Sequence, residues 1–274
     1  METSAKVILD SVSDEGNRLT TMEVVMHRFV LAEFNTHRMF SRNSASSRAI
    51  PVAKQIQRLE DNPALPVVWA AEQKGMQGGD EVLRPDLAEE VWQTAKRDAI
   101  VCADTLRHLG VHKSITNRLL EPFMWHTVIV SSTEWDNFWR QRCSPLAQPE
   151  IRVAAELMKA AYDASTPTQL ATFQWHMPYI TDRDLHDCEQ SGEDPRYVSA
   201  ARCARVSYLT HNGKRDVQED AAMYHRLVSA EPPHASPLEH VAKPCLYCRD
   251  YDMNHVHSGN FQGWWQLRHD SLGF

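Results

Sequence analysis

The chain has 274 residues, 42% hydrophobic and 24% charged, with a formal net charge of −7. That is enough for one large domain or two modest ones of ordinary globular composition. The negative balance argues against a general nucleic-acid binder, whose affinity comes from neutralising backbone phosphates, and no apolar run approaches the roughly 20 residues of a membrane span. The first residues, Met1 to Lys6, carry no apolar signal segment, so the expected location is cytoplasmic. The six cysteines are scattered, and free thiols are the expectation for a chain of this length.

In chain order, Lys6 to Asp10 reads as a first strand and Thr20 to Phe29 as a second, both rich in β-branched and apolar residues. Val30 to Thr36 turns helical, and a serine-rich loop follows up to Ile50-Pro51. Val52 to Leu59 is a short amphipathic helix, and 62–83, with two prolines and three glycines, is mostly loop. Asp86 to Leu109 is a long helix ended by Gly110, with Leu87, Val91, Ala95, Ile100 and Leu106 as its apolar stripe. Asn117 to Phe123 is a further helical piece, and Trp125 to Ser132 is strand or helix. Trp135 to Arg142 and Pro149 to Ala164 are helical by spacing, the latter with proline in its first turn. The polar stretch 181–197 is the candidate linker. Tyr197 to Tyr208 and Glu219 to Val228 are helical, Leu246 to Tyr251 a strand, and Gly259 to Arg268 strand or helix. The mixture predicts an α+β fold, a mixed or antiparallel sheet covered by helices, in a single domain over 1–274.

Four constellations stand out. Residues 36–48 pack three arginines, one histidine, one asparagine and four serines into thirteen positions. Arginine forks and serine hydroxyls are the donors a phosphate dianion takes, although a solvated loop has a similar composition. His234-Ala-Ser236-Pro237-Leu238-Glu239-His240 places two histidines and a glutamate around a helix start, with Ser236 as its expected cap. Arg118 and Arg142 lie in apolar sequence contexts and need either an anionic ligand or an internal partner such as Glu121, Asp136 or Glu150. Ala201 to Tyr208 carries Arg202 and Arg205 among small residues. Cys245 and Cys248 form a CxxC followed by His255 and His257, but there is no second CxxC, and a metal is not expected.

Together these pieces resemble the flavin-dependent thymidylate synthase family. Its Arg-His-Arg, seven residues, Ser signature stands here as Thr36-His37-Arg38 and Ser46, with Asn43 inside and Arg48 at the end. Its Ala-Arg-Val-Ser stretch is at 204–207, and its His-x-Ser-Pro-x-Glu-His element at 234–240. Its central pattern is echoed by Asn117 to Pro122, Asn137 to Arg142 and Ala147 to Ile151. In the family the Ala-Arg-Val-Ser and Pro-x-Glu-His elements come before the arginine-histidine motif. Here they follow it, as in a nearly permuted chain, which closely spaced surface termini permit.

The resemblance implies a flavin- and folate-dependent reductive methylation at carbon five of a deoxypyrimidine monophosphate, chiefly dUMP, with FAD as cofactor and NADPH and methylenetetrahydrofolate as co-substrates. It implies His37, Arg38, Ser207, Ser236 and Glu239 at the flavin, with His234 near its ring. It implies Glu33, Asn43, Ser44, Ser46, Arg48, Arg118 and Arg142 at the nucleotide, Arg142 on the pyrimidine edge. It also implies a homotetramer with shared sites and no membrane or nucleic-acid partner. Three departures from the family pattern are Thr36 for the first arginine, Ser44 for the glutamate after the asparagine, and Glu33 for a frequent glutamine. A carboxylate at 33 can accept from an exocyclic amino group, which keeps dCMP open as acceptor. An inactive nucleotide-binding homologue is another reading. So are a metal-dependent hydrolase built on His234, His240, Cys245 and Cys248, and a nucleic-acid modifier stacking bases on Trp264 and Trp265.

Overall fold

The computed structural model describes residues 2–208, 215–245 and 259–272, the side chains of Ser207 and Tyr208 excepted. The expected strand at 246–251, together with Cys248, His255 and His257, lies outside the described residues.

The fold is α+β. Strands β1 (Ser4–Ser13) and β2 (Arg18–His27) form an antiparallel hairpin, and β4 (Trp125–Ser132) pairs antiparallel with β2 from Thr20 opposite Ser132 to His27 opposite Trp125. Strand β3 (Ser41–Ser44) joins β4 antiparallel, and β5 (Thr168–Leu170) runs parallel to β1, giving a mixed sheet of order β3-β4-β2-β1-β5. A second, two-stranded sheet pairs β6 (Ala242–Pro244) with β7 (Trp264–Gln266).

Alternation along the strands sends successive side chains to opposite faces. One face carries Met22, Val24 and Met26 of β2 with Val128 and Val130 of β4. These pack on Phe34 of α1 (Leu31–Asn35), Phe138 of α5 (Asp136–Arg142), and Ile151, Ala154 and Met158 of α6 (Pro149–Ala164). On the other face Ile129 packs with Cys203 and Val206 of α8 (Pro195–Tyr208). That face also carries a buried polar row. Ser11 bonds His176 Nδ1 at 2.8 Å, His176 Nε2 bonds Thr21 at 2.8 Å, Thr21 bonds Ser131 at 2.6 Å, and Ser131 bonds His240 Nδ1 at 2.8 Å.

A third layer packs α2 (Val52–Asp61) and α3 (Pro85–His108) on the 3-10 turn at Asn117–Phe123, which follows the short α4 (Lys113–Thr116). Gly110, at φ +79°, sits just past the end of α3. The stripe expected on α3 is corrected. Leu87 and Val91 are 45% and 69% exposed, and the packed residues are Trp92, Ala99, Ile100 and Ala103. Helical period alone does not say which face the neighbours cover.

Two further readings are corrected. The motif segment is not all loop, because Ser41 to Ser44 takes an edge position beside β4. The stretch 181–197 is helical rather than a linker. Helix α7 (Asp182–Ser191) opens on a capping box between Thr181 and Asp184, Gly192 closes it at φ +73°, and Pro195 starts α8. Helix α9 (Val217–Val228) then packs on α8, with Tyr224 beside Ala200 and Ala201.

Buried ions hold α7, α8 and α9 together. Arg202 Nε donates to Asp220 at 2.9 Å and its NH2 to Asp184 at 2.8 Å. Arg205 Nε reaches Asp220 at 2.7 Å, and Arg215 NH2 reaches Asp184 at 2.9 Å. Arg202 and Arg205 of the small-residue stretch thus serve the fold.

Candidate functional site

The 36–48 segment is the hub of the molecule. It leaves α1, crosses the sheet edge as β3 and ends against the 3-10 turn at Asn117–Phe123. The motifs at 117–122, 137–142, 201–208 and 234–240 each attach to it.

At its start, Arg142 Nε donates to His37 Nε2 at 2.9 Å, and Arg142 NH2 donates to Glu33 O and Thr36 Oγ1, both at 3.2 Å. His37 is therefore a neutral acceptor. Burial pushes its pKa down to about 4, and the Arg142 and Arg42 guanidiniums push the same way. Phe40 and Phe138 flank the ring. Thr36, in place of the family's arginine, is a hydrogen-bond partner of Arg142 and also donates to Glu33 O at 2.7 Å. Arg142 has no carboxylate partner among the described residues.

In the middle, Ser41 Oγ donates to Glu239 Oε2 at 2.7 Å, and Arg268 NH1 donates to Glu239 Oε1 at 2.8 Å. Gln266 Nε2 bridges Ser41 Oγ (3.3 Å) and Glu239 O (3.1 Å). Asn43 Nδ2 donates to Cys203 O at 2.9 Å, tying the segment to α8, and Ser236 Oγ donates to Asn43 Oδ1 at 3.4 Å. Ser236 does not cap a helix as expected. The turn Ser236–His240 is 3-10, and its N-cap position is Ala235. Ser44 pairs in β3 with Val128.

At the end, Ser47 Oγ donates to Glu121 Oε1 at 2.5 Å, and Asn117 Nδ2 donates to Ser47 O and Ile50 O at 2.8 and 2.9 Å. Glu121 also takes Arg28 NH2 and Arg118 NH1, both at 3.1 Å. Arg118 is corrected from the buried position its sequence context suggested: its side chain is 59% exposed and pairs internally with Glu121.

The remaining candidates point outward. Arg38, Ser46, Arg48, His234 and Ser236 are exposed. Arg38 and Arg48 make no ion pair among the described residues, so both guanidiniums are uncommitted, and Arg48 N donates to the neighbouring Ser46 Oγ at 3.3 Å. Such a donor set fits a phosphate or pyrophosphate. The side chain of Ser207 lies outside the described residues. Burial raises the thiol pKa of Cys143, which disfavours the thiolate a nucleophile needs. Among the described residues no cluster of His, Cys, Asp and Glu has the arrangement of a metal site, and no helix is long and apolar enough to cross a membrane.

Sequence reasoning missed Gln266 and Arg268, which fix Glu239, and Arg28, which braces Glu121. The available signal was a glutamine and an arginine bracketing the end of a predicted strand, polar residues where a buried strand should be apolar. Trp264 is fully buried in the core beside Leu19 and Phe261 and is no base-stacking platform.

The sequence model of the family described as thymidylate synthase complementing protein matches residues 19–168, so the chain belongs to that family. The match takes in the motif segment, the Asn117 turn and α5. The flavin-dependent thymidylate synthase of Gluconobacter oxydans (strain 621H) is 29% identical over 154 residues, covering 53% of this chain and 50% of that protein. The chain thus spans about half the length of the curated relative it matches. Among solved structures, a UMP/dUMP methylase from Streptomyces cacaoi bound with 5-Br dUMP aligns with a TM-score of 0.45 at 15% identity, covering 59% of this chain and 90% of that one.

Proposed function

We propose that the protein catalyses flavin- and folate-dependent reductive methylation of a deoxypyrimidine monophosphate at carbon five, converting dUMP to dTMP. One observation carries this reading: motifs from four separate parts of the sequence converge on the 36–48 segment despite their altered order. The family membership is consistent with it.

In this reading Ser46 and Arg48 take the nucleotide phosphate, with Arg118 at its edge. Asn43 and Ser44 line the nucleotide side. Arg142, held in place by His37, directs its guanidinium at a pyrimidine carbonyl and stabilises the charge that develops there. Arg38 and Ser236 hold FAD. Glu239, with both carboxylate oxygens engaged, fixes the loop beneath it, and exposed His234 stands at the open face. Bound flavin supplies the reducing chemistry, with NADPH and methylenetetrahydrofolate as co-substrates. The chain's own groups bind, orient and polarise. The reading includes a cytosolic location, where free thiols persist. It also includes a homotetramer with shared sites, for which exposed Leu87, Val91 and Val101 on α3 offer apolar contact surface.

A second reading, dCMP as acceptor, is favoured by Glu33. Its Oε2 is buried with no partner among the described residues, which suits an exocyclic amino group. Protein reconstituted with FAD, NADPH and methylenetetrahydrofolate is expected to add one methyl group to dUMP, read by mass spectrometry. Methylation of dCMP alone would select the second reading, and no product from either nucleotide would remove both. Glu33→Gln is expected to shift the kcat/KM ratio toward dUMP by about tenfold, the worth of one hydrogen bond to a charged group.

Arg48→Ala is expected to weaken nucleotide binding by roughly 1.5–3 kcal/mol, the range for a charge-assisted bond. Calorimetric titration with dUMP measures it, and an unchanged Kd assigns Arg48 no phosphate contact.

A further inference from the structure

Arg42 is the only charged residue of β3. It pairs across the sheet with Val130, which puts its side chain on the face that carries α1 and α5. The guanidinium folds back over the end of α1, where NH1 donates to Phe34 O at 3.4 Å and to His37 O at 3.2 Å. Both contacts are longer than the usual N–H···O distance of about 2.9–3.0 Å. Nε and NH2 have no partner among the described residues, and the side chain makes no ion pair there. Arg42 is half-buried rather than sealed, and that burial disfavours its charge. The carboxylate acting on it is that of Glu239, whose two oxygens are already taken by Ser41 and Arg268.

A second guanidinium converges on the same turn. Arg142 Nε donates to His37 Nε2 at 2.9 Å, and the Arg142 and Arg42 cations both act on the His37 ring. Neither has a carboxylate at ion-pair distance among the described residues. Like charges gathered on one neutral imidazole repel, and a partly desolvated arginine is seldom left without an anion. The two carbonyls that hold Arg42 also flank Thr36, where the family signature has its first arginine. Thr36 is exposed, and its hydroxyl is spent on Glu33 O and Arg142. Arg42, six positions further on, thus returns to this turn the guanidinium that position 36 lacks. Its free Nε–NH2 edge is the fork that takes two phosphate oxygens side by side.

We propose that Arg42 is a ligand-binding residue whose Nε and NH2 donate to phosphate oxygens, filling the place left by the missing arginine at position 36. It deepens the function proposed above and rests on that reading. The phosphate belongs either to the nucleotide or to the pyrophosphate of FAD.

The test is calorimetric titration of the full chain with FAD, dUMP and inorganic pyrophosphate. It compares wild type, Arg42→Gln, Arg42→Lys, and both variants with Thr36→Arg added. Arg42→Gln is expected to weaken either FAD or dUMP at least about tenfold and leave the other within about threefold; the one that weakens is the source. Pyrophosphate, which brings no ring, is expected to weaken in parallel. Arg42→Lys keeps the charge without the fork and is expected to lose about threefold to tenfold. Thr36→Arg is expected to recover most of the loss in either background. An Arg42 that merely braced the turn would give no recovery, because Thr36→Arg removes the hydroxyl that bonds Glu33 O and Arg142. If Arg42→Gln does not fold, the Arg42→Lys pair decides. Unchanged affinities in the folded variants, an equal loss for FAD and dUMP, or a loss that Thr36→Arg leaves in place would each overturn the proposal. Methyl transfer by the wild type reports separately on the function. Pyrophosphate binding that depends on Arg42 without any turnover would sink the function and keep the residue's contact, turnover with unaltered affinities would do the reverse, and a wild type that binds no probe would sink both.

Discussion

Acidification from pH 7 to 4.5 is expected to unfold the protein, and histidines rather than carboxylates drive the loss. Burial pushes His126, His176 and His240 down to about 3 and His37 to about 4, with help from Arg28 at His126 and from Arg142 and Arg42 at His37. In the unfolded chain the same rings titrate near 6.5. Below that pH the unfolded chain takes up protons that the folded chain refuses, so stability is present above 6.5 and falls as pH drops toward the folded values. Each ring then contributes ~1.4 kcal/mol per pH unit. Over two units the four rings amount to roughly 10 kcal/mol, as much as the whole stability of a typical domain. Urea titrations at pH 7, 6, 5 and 4.5 measure this through the slope of unfolding free energy with pH. A flat profile between 7 and 5 would refute it. The Asp184 carboxyl acts in a lower window. Burial opposes its ionisation, but hydrogen bonds from Arg202, Thr181 and Arg215 outweigh that and hold it well below the usual carboxylate range. Its contribution is therefore kept down to about pH 4 and lost only below it.

Arg202→Met is expected to cost roughly 3–5 kcal/mol, the penalty for stranding buried charges. The Arg202, Asp184 and Asp220 side chains are 5%, 4% and 1% exposed, and removing the arginine leaves each carboxylate with a single cationic partner among the described residues, Arg215 for Asp184 and Arg205 for Asp220. For a chain of this size the fall in Tm is about 10 °C. Adding Asp184→Asn and Asp220→Asn to the variant is expected to restore most of it, because the uncompensated charge, not the lost contact, carries the penalty. A Tm within a degree or two of wild type for the single variant would show that the ions rearrange freely. Nucleotide binding is expected to weaken as well, since α8 carries the Cys203 carbonyl that holds Asn43.

The sequence was most legible where composition was extreme. Three arginines among four serines announced the motif segment, and the hub is there. Its strand was hidden because Ser41, Arg42, Asn43 and Ser44 have no preference for extended backbone, and β4 imposes it by pairing. Helix α7 was hidden for the opposite reason. Gly192 and Pro195 look like linker residues, yet one ends a helix and the other begins the next. Arg118 and Arg142 shared an apolar sequence context, but only tertiary contacts separate them, one turned to Glu121 and half in solvent, the other anchored on His37.

The spacing of the hub's partners has a biosynthetic consequence. Ser41 meets Glu239 across 198 positions and Gln266 across 225. During translation the hub emerges some 200 positions ahead of the segments that match its Ser41 hydroxyl. A nascent chain stopped after α6 would carry four of the five strands of the main sheet but an edge strand with Ser41 unclaimed, a surface for chaperones to hold.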